Sequence, residues 1–155
     1  MRYSNANQRG DLCQEDGGNL QLDDGLISAV EVSLFTDQRA PDGEELPDPK
    51  GSRRGWWGDM FAGVDNPERL GDEWGSLLWL RLSRGKSRQQ TYNLIRSDIL
   101  AALQWLIDDG VAASVAASVF RAGADRIGFT VEIKRPENPS RKWVGRWEVV
   151  LAGGL

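Results

Sequence analysis

Apolar and polar residues alternate without a break from Ile127 to Lys134, with Ile127, Phe129, Val131 and Ile133 set against Gly128, Thr130, Glu132 and Lys134. A period of two places one set on each face of a strand, so one face here is built for burial. Trp143, Gly145, Trp147, Val149 and Leu151 repeat the alternation after a turn at 136–140. Val111, Val115 and Val119 fit the same period with Ala113 and Ala117 between them, and they also fit a helix at i, i+4, i+8. Gly110 before them and Ala122-Gly123-Ala124-Asp125 after them favour a strand and a hairpin. The C-terminal third is therefore expected to be a three-strand antiparallel meander with 127–134 in the centre.

Upstream the period changes. Tyr92, Ile95, Ile99, Leu103 and Leu106 form a stripe near 3.6, flanked by Leu100, Trp105 and Ile107, which predicts a long helix ended by Gly110. Ser87 with Gln90 three residues on fits a capping box. Leu26, Ala29, Val30, Ser33 and Leu34 are spaced as a second helix behind an Asp23 or Asp24 cap, although Val30, Val32 and Leu34 also alternate as a strand. The helical spacing is preferred. Leu20 and Leu22 suggest a short strand, and Trp74 and Trp79 are expected in the core. The fold class is α+β: a small antiparallel sheet packed with two main helices and one long ordered loop. Residues 1–19 form a polar N-terminal segment, and 20–155 form a single domain.

The loop is the irregular stretch 41–65, interrupted by Pro41, Pro47, Pro49 and several glycines. Structureless stretches of this length are either functional or disordered. The adjacent tryptophans Trp56 and Trp57 argue against disorder, since disordered segments lack aromatics. An ordered contact loop, fixed by a partner, is the expectation, with packing of the rings on the domain's own core as the rival.

Charge sharpens this reading only in part. Net charge is −4, and the 11 acids and 4 bases of residues 1–50 leave the remainder at +3. Arg81, Arg84, Lys86, Arg88 and Arg96 fall in a stretch without acids, read as a solvated basic face or as a patch for an acidic partner. An acidic chain disfavours nucleic acid as partner. There is no histidine and one cysteine, Cys13. That removes the commonest general base and the commonest zinc ligand, and it excludes an internal disulfide, as expected for synthesis in a reducing cytoplasm. No catalytic residue, metal site or cofactor is expected, and no apolar run is long enough for membrane insertion.

Several blocks carry a resemblance. They are Ala29-Val30, Ser33-Leu34-Phe35-Thr36-Asp37 with Arg39-Ala40, Arg54-Gly55-Trp56-Trp57-Gly58-Asp59, Gly75-Ser76-Leu77-Leu78-Trp79, and the run from Ala102 through Trp105-Leu106-Ile107-Asp108-Asp109-Gly110 to Ala112. In this order they resemble the Mu-like phage gene-product-46 family over roughly 20–150. That family is similar to the T-even wedge protein that starts the tail sheath. The Glu-Pro-Arg that follows the long helix in the T-even branch is replaced here by Ile107-Asp108-Asp109. The resemblance implies an α+β structural protein of the virion tail baseplate, assembled in the host cytoplasm and present in several copies around the tail tube. It would be bound to other wedge proteins and to the sheath protein.

The residues expected to meet partners are Arg53, Arg54, Trp56, Trp57 and Asp59 in the loop, and Trp143 and Trp147 on the last strand. Arginine and tryptophan are the types enriched at interface hot spots. Strand edges add a second device, because a neighbour can extend a sheet through backbone hydrogen bonds. Two alternatives stand beside this. One is a glycan hydrolase using Asp72/Glu73 or Asp108/Asp109, and the other is a single-strand nucleic-acid module built on the tryptophans and arginines. The two aspartates at the end of the long helix oppose its dipole; an internal pairing with Arg121 or Arg126 would account for them.

Overall fold

The computed structural model describes residues 25–62, 64, 67, 71, 73–83, 89–137 and 142–151, with the backbone of 2–4 and 9–11. In chain order the elements are strands β1 (Arg2–Ser4) and β2 (Arg9–Asp11), helix α1 (Leu26–Phe35), and a 3-10 turn (Trp57–Phe61). Helices α2 (Leu78–Ser83), α3 (Gln89–Ala102) and α4 (Trp105–Asp108) follow, then strands β3 (Ser114–Arg121), β4 (Arg126–Lys134) and β5 (Lys142–Val150). The short β1–β2 hairpin lies inside the segment read as a polar terminus. The strand expected at Leu20 and Leu22 and the Ser87 cap fall outside the described residues, and the position expected to hold an aspartate cap on α1 is Gly25, which has no side chain to cap with.

The sheet is the meander that the alternation predicts. β4 is central and pairs antiparallel with β3 and β5, Phe129 lying opposite both Val119 and Trp147. The apolar positions of β4 are fully buried. Phe129 stacks on Trp147 at 5.5 Å, and Phe35 of α1 closes on both rings at 6.4 and 6.5 Å. Gly145 is required between the two tryptophans of β5, because a β-carbon there would collide with both rings. On the helical side Val30, Leu34, Ile95, Ile99, Leu103 and Leu106 complete the core. α1 is thus a helix, as its spacing favoured. Its cap is Gly25 at φ 79, a conformation glycine adopts without strain, whose carbonyl accepts from Ala29 N at 2.9 Å.

Two expectations need correction. The stripe from Tyr92 to Leu106 is divided between α3 and α4, because the backbone tightens to i→i−3 bonds at Gln104 and Leu106. This turn keeps Leu103 and Leu106 buried while Trp105 Nε1 donates to the buried Ser33 Oγ at 3.0 Å. Gly110 ends the run in the left-handed region, as expected. Asp108 accepts from Gln104 Nε2 at 3.0 Å, not from an arginine; Arg121 donates to the Gly123 carbonyl and Arg126 lies beside Asp125.

On the outer face of the sheet Lys142 Nζ sits 2.8 Å from Glu132 Oε2. This hydrogen bond and the Lys142 charge, with Lys134 nearby, hold the Glu132 carboxyl below its ordinary value of 4.5. A carboxyl whose folded pKa is lowered stabilises above its unfolded value and loses that stabilisation as pH falls through the folded one. A Lys142→Met chain should therefore melt slightly below the parent at neutral pH, and the gap should close on acidification below 4.5. Melting curves across pH 3–7 check this (about the window in which the carboxyl titrates).

Candidate functional site

The loop after α1 is pinned by its own chain at both ends. Backbone pairing joins residues 36–38 to Ser76: Ser76 N donates to the Thr36 carbonyl at 2.9 Å and Gln38 N to the Ser76 carbonyl at 3.1 Å. Ala40 N donates to the Arg53 carbonyl at 2.9 Å. The Arg53 guanidinium then donates to the carbonyls of Pro41, Asp42 and Glu44 at 2.6, 2.9 and 3.3 Å. Arg53 is an internal clasp. Arg54 Nη1 contacts Asp37 Oδ2 at 2.6 Å, and its guanidinium lies 4.5 Å over the ring of Trp79. Trp79 in turn donates from Nε1 to the Gln38 carbonyl at 2.9 Å. The loop is thus tied to its own domain by these bonds.

A second clasp lies beneath. Arg81 of α2 is 5% exposed; its Nε donates to Asp98 Oδ2 of α3 at 2.8 Å and its Nη atoms grip Glu44 at 3.1–3.2 Å. Burial works against the Arg81 charge, but the hydrogen bonds and charges of Asp98 and Glu44 outweigh it and raise its pKa. Burial also pushes the Asp98 carboxyl above its ordinary value, with Arg81 pulling it back and Glu44 adding to the rise. Arg81 therefore does not belong to the solvated basic face that its sequence neighbours suggested, since two carboxylates distant in sequence enclose it.

These clasps present an apolar ledge to solvent. Asp59 accepts from Trp56 N at 3.2 Å and from Trp74 N at 3.1 Å, tying the 3-10 turn to the strand-like segment before α2. Trp56 packs on Trp57 at 5.4 Å and on Trp74 at 5.8 Å, and Phe61 meets Trp57 edge-on at 6.0 Å. Gly58 is obligatory under this stack, since a β-carbon would collide with the Trp56 ring. Trp57 is 71% exposed, Met60 75%, Phe61 55% and Val64 70%. With about 200 Å² per aromatic side chain, the ledge leaves on the order of 500 Å² of apolar surface in water, a size that marks interaction sites. Trp74 belongs to this ledge at 42% exposure and not to the core, while Trp79 is half-buried beneath Arg54.

The sheet offers a second surface. Leu151 N donates to the Asp125 carbonyl, which sets the hydrogen-bonding parity of the β4–β5 ladder. The backbone groups of Lys142, Val144, Arg146, Glu148 and Val150 consequently point away from β4 along an outer edge. The opposite edge, β3, packs against α3, and Arg96 Nε caps its Ala117 carbonyl at 2.9 Å. Among the described residues, β5 carries the open edge.

Of the residues singled out by sequence, Trp56, Trp57 and Asp59 come together in the ledge, Arg53 and Arg54 hold it, and Trp143 is half-buried 5.9 Å from Trp147. Trp147 itself is 4% exposed and lies in the core, so it is withdrawn from the contact residues. Its odd-numbered place among Trp143, Gly145 and Val149 assigned it to the inward face from the start. Sequence reasoning missed Met60, Phe61, Val64 and Trp74; the apolar pair directly after Gly58-Asp59 was the available signal. The arginines beside the rings, Arg53 and Arg54, hold internal partners, and Arg84, Lys86 and Arg88 of the basic stretch lie outside the described residues. Asp72 is outside the described residues, and Glu73 accepts from Gln38 Nε2 at 3.2 Å. Among the described residues no cluster of acidic or thiol side chains has the geometry to hold a metal ion, and no helix is long and apolar enough to cross a membrane.

A family model described as phage protein GP46 matches residues 26–140, from the start of α1 to the turn before β5, with the ledge inside the match. The chain is 43% identical to the baseplate protein gp46 of Escherichia phage Mu over 110 residues, 71% of this chain and 69% of that protein. It is 42% identical over 97 residues to the Mu-like prophage FluMu protein gp46 of Haemophilus influenzae, covering 63% of this chain and 58% of that protein.

Proposed function

Since the chain belongs to the phage protein GP46 family, we propose that it is a structural part of a contractile-tail baseplate, acting in wedge assembly and in starting the tail sheath. It is placed in the virion tail from the host cytoplasm, in several copies around the tube, against other wedge proteins and the sheath protein. It turns over no substrate. The observation that carries this reading is the ledge itself: Trp57, Met60, Phe61 and Val64 stand out in water on a loop that Arg53 clasps and Asp59 ties to Trp74. A folded chain gains nothing from that arrangement alone; a ledge that docks does, because rigid aromatics bind with little further loss of conformational freedom. The named relative from phage Mu is a baseplate protein, which supplies the setting.

The ledge serves wedge assembly, and the β5 edge accepts a strand from a neighbouring sheath subunit. Phage carrying Met60→Ser with Phe61→Ser should fail to incorporate this chain into baseplates and should yield no sheathed tails. Normal sheathed tails containing the altered chain would overturn the proposal. For the edge, Val144→Pro is a cleaner probe than removing the strand, which would take Trp147, Val149 and Leu151 out of the core. Proline at 144 deletes an outward N–H and blocks an added strand while sparing the bonds to β4. Baseplates should then form without sheath, as counted by electron microscopy.

A further inference from the structure

Glu31 carries a charge that the fold leaves half-used. It sits on α1, half-buried, and its Oε1 accepts from Trp147 Nε1 at 3.4 Å, a long bond. Its Oε2 is buried and has no hydrogen-bond partner; among the described residues it is the one buried side-chain polar atom so placed. Buried polar atoms are nearly always paired, so each exception calls for an explanation.

The surroundings of Glu31 supply one. α3 packs against β3, while α1 lies over the β5 side of the sheet, where Phe35 touches Phe129 and Trp147. Ile27, one turn before Glu31 on the same helical flank, is 38% exposed. Beneath α1, β5 presents its inward residues Trp143, Gly145 and Trp147, the two indoles 5.9 Å apart and leaning over the glycine. The outer edge of β5 is the open one. Residues opposite each other on paired strands share a face of the sheet. A strand added to β5 would therefore send alternate side chains inward, beside these indoles and toward the flank of α1 that bears Glu31.

We propose that Glu31 is the counter-charge for a lysine or arginine at an inward position of the strand that β5 accepts. The inference rests on the reading of the β5 edge as the sheath contact and adds the chemistry of the incoming strand. A lysine or arginine stem lies along apolar rings while its head reaches past them, and indole faces attract cations. The terminal torsion of glutamate is broad, so the carboxylate can turn either oxygen to the entering group. A neutral donor would satisfy the oxygen and leave the charge unbalanced. Once the added strand excludes water from that charge, only a cation offsets the cost. A strand with an acidic residue at the same place is rejected, so Glu31 also selects among strands.

Glu31→Gln tests this directly. The amide keeps the shape of the side chain, and its oxygen still accepts from Trp147 Nε1. The purified chain should melt at or above the parent temperature, since the fold does not pair that charge. Phage carrying it should assemble baseplates that start sheaths at least tenfold less often, counted by electron microscopy (about the effect of losing one hot-spot contact). Glu31→Lys should block sheath altogether. Combined in turn with glutamate in place of each lysine or arginine of the sheath protein's edge strands, it should regain sheath in one pairing, and failure of every pairing overturns the inference. Parental sheath counts for Glu31→Gln overturn it as well, and so does a lowered melting temperature, which would assign the carboxylate to the fold. Val144→Pro keeps this failure apart from that of the edge reading. If Val144→Pro alone blocks sheath, the edge stands and only the counter-charge falls; if neither variant blocks it, both fall.

Discussion

Replacing Arg81 with methionine should lower the unfolding free energy by about 3–5 kcal/mol, the range seen when one partner of a buried ion pair is removed. The side chain is 6% exposed, and its partners Asp98 and Glu44 are 12% and 30% exposed. Methionine fills comparable space, so the loss reports the stranded Asp98 carboxylate more than a void. The pH dependence separates these causes. Burial already raises the Asp98 pKa, and Arg81 is the group that pulls it back. Without Arg81 the folded pKa rises further above the unfolded value. A carboxyl with a raised folded pKa is penalised once pH climbs through that value, and the penalty vanishes below the unfolded one. The deficit of Arg81→Met against the parent should therefore be full at neutral pH and shrink toward pH 3.8, the ordinary value for the group. Adding Asp98→Leu should restore most of the loss at neutral pH, because a buried pair exchanged for apolar residues is often neutral. Urea unfolding followed by tryptophan fluorescence measures all three. A deficit independent of pH and not rescued by Asp98→Leu would show that Arg81 acts through packing alone.

The same residue marks the limit of what the sequence discloses. Patterning along the chain is a local property, and the sheet is legible for that reason: Ile127 to Ile133 alternate because β4 is central and one face is buried. α1 is legible in the spacing of Leu26, Val30 and Leu34, and its rival strand fails because that spacing puts all three on one helical face, buried in the core. Arg81 meets Glu44 and Asp98 at sequence separations of 37 and 17. No window of local sequence contains that triad, so the arginine read as part of a solvated run. The division between α3 and α4 is invisible for a related reason, since the hydrophobic stripe continues through a change from i→i−4 to i→i−3 bonding.

At the site, the block from Arg53 to Asp59 identified the location but not the roles. Arginine beside tryptophan suggests a hot spot, yet Arg53 satisfies three carbonyls and Arg54 covers Trp79. A proline- and glycine-rich loop has many backbone groups without regular partners, and a guanidinium with five donors is suited to satisfying them. Position in the fold, not residue type, separates the tryptophans that hold the protein together from those that face outward.

That separation is measurable. Trp147→Ala should cost about 3–5 kcal/mol, the range for removing a buried large aromatic. The indole is 4% exposed, stacks on Phe129, touches Phe35 and Trp143, and its Nε1 reaches Glu31 Oε1 at 3.4 Å. For a chain of this size the melting temperature should fall on the order of 10 °C. Trp57→Ala removes a ring of the same type from a position 71% exposed, where loss of the edge contact with Phe61 and the contact with Trp56 is all the fold can register. Its unfolding free energy should stay within about 0.5–1 kcal/mol of the parent. Co-purification with baseplate components should behave in the opposite way, abolished by Trp57→Ala and retained by Trp147→Ala at temperatures where that variant remains folded. Equal loss of melting temperature in both variants would mean that the ledge is part of the core in solution, and retained association of Trp57→Ala would remove it from the docking surface.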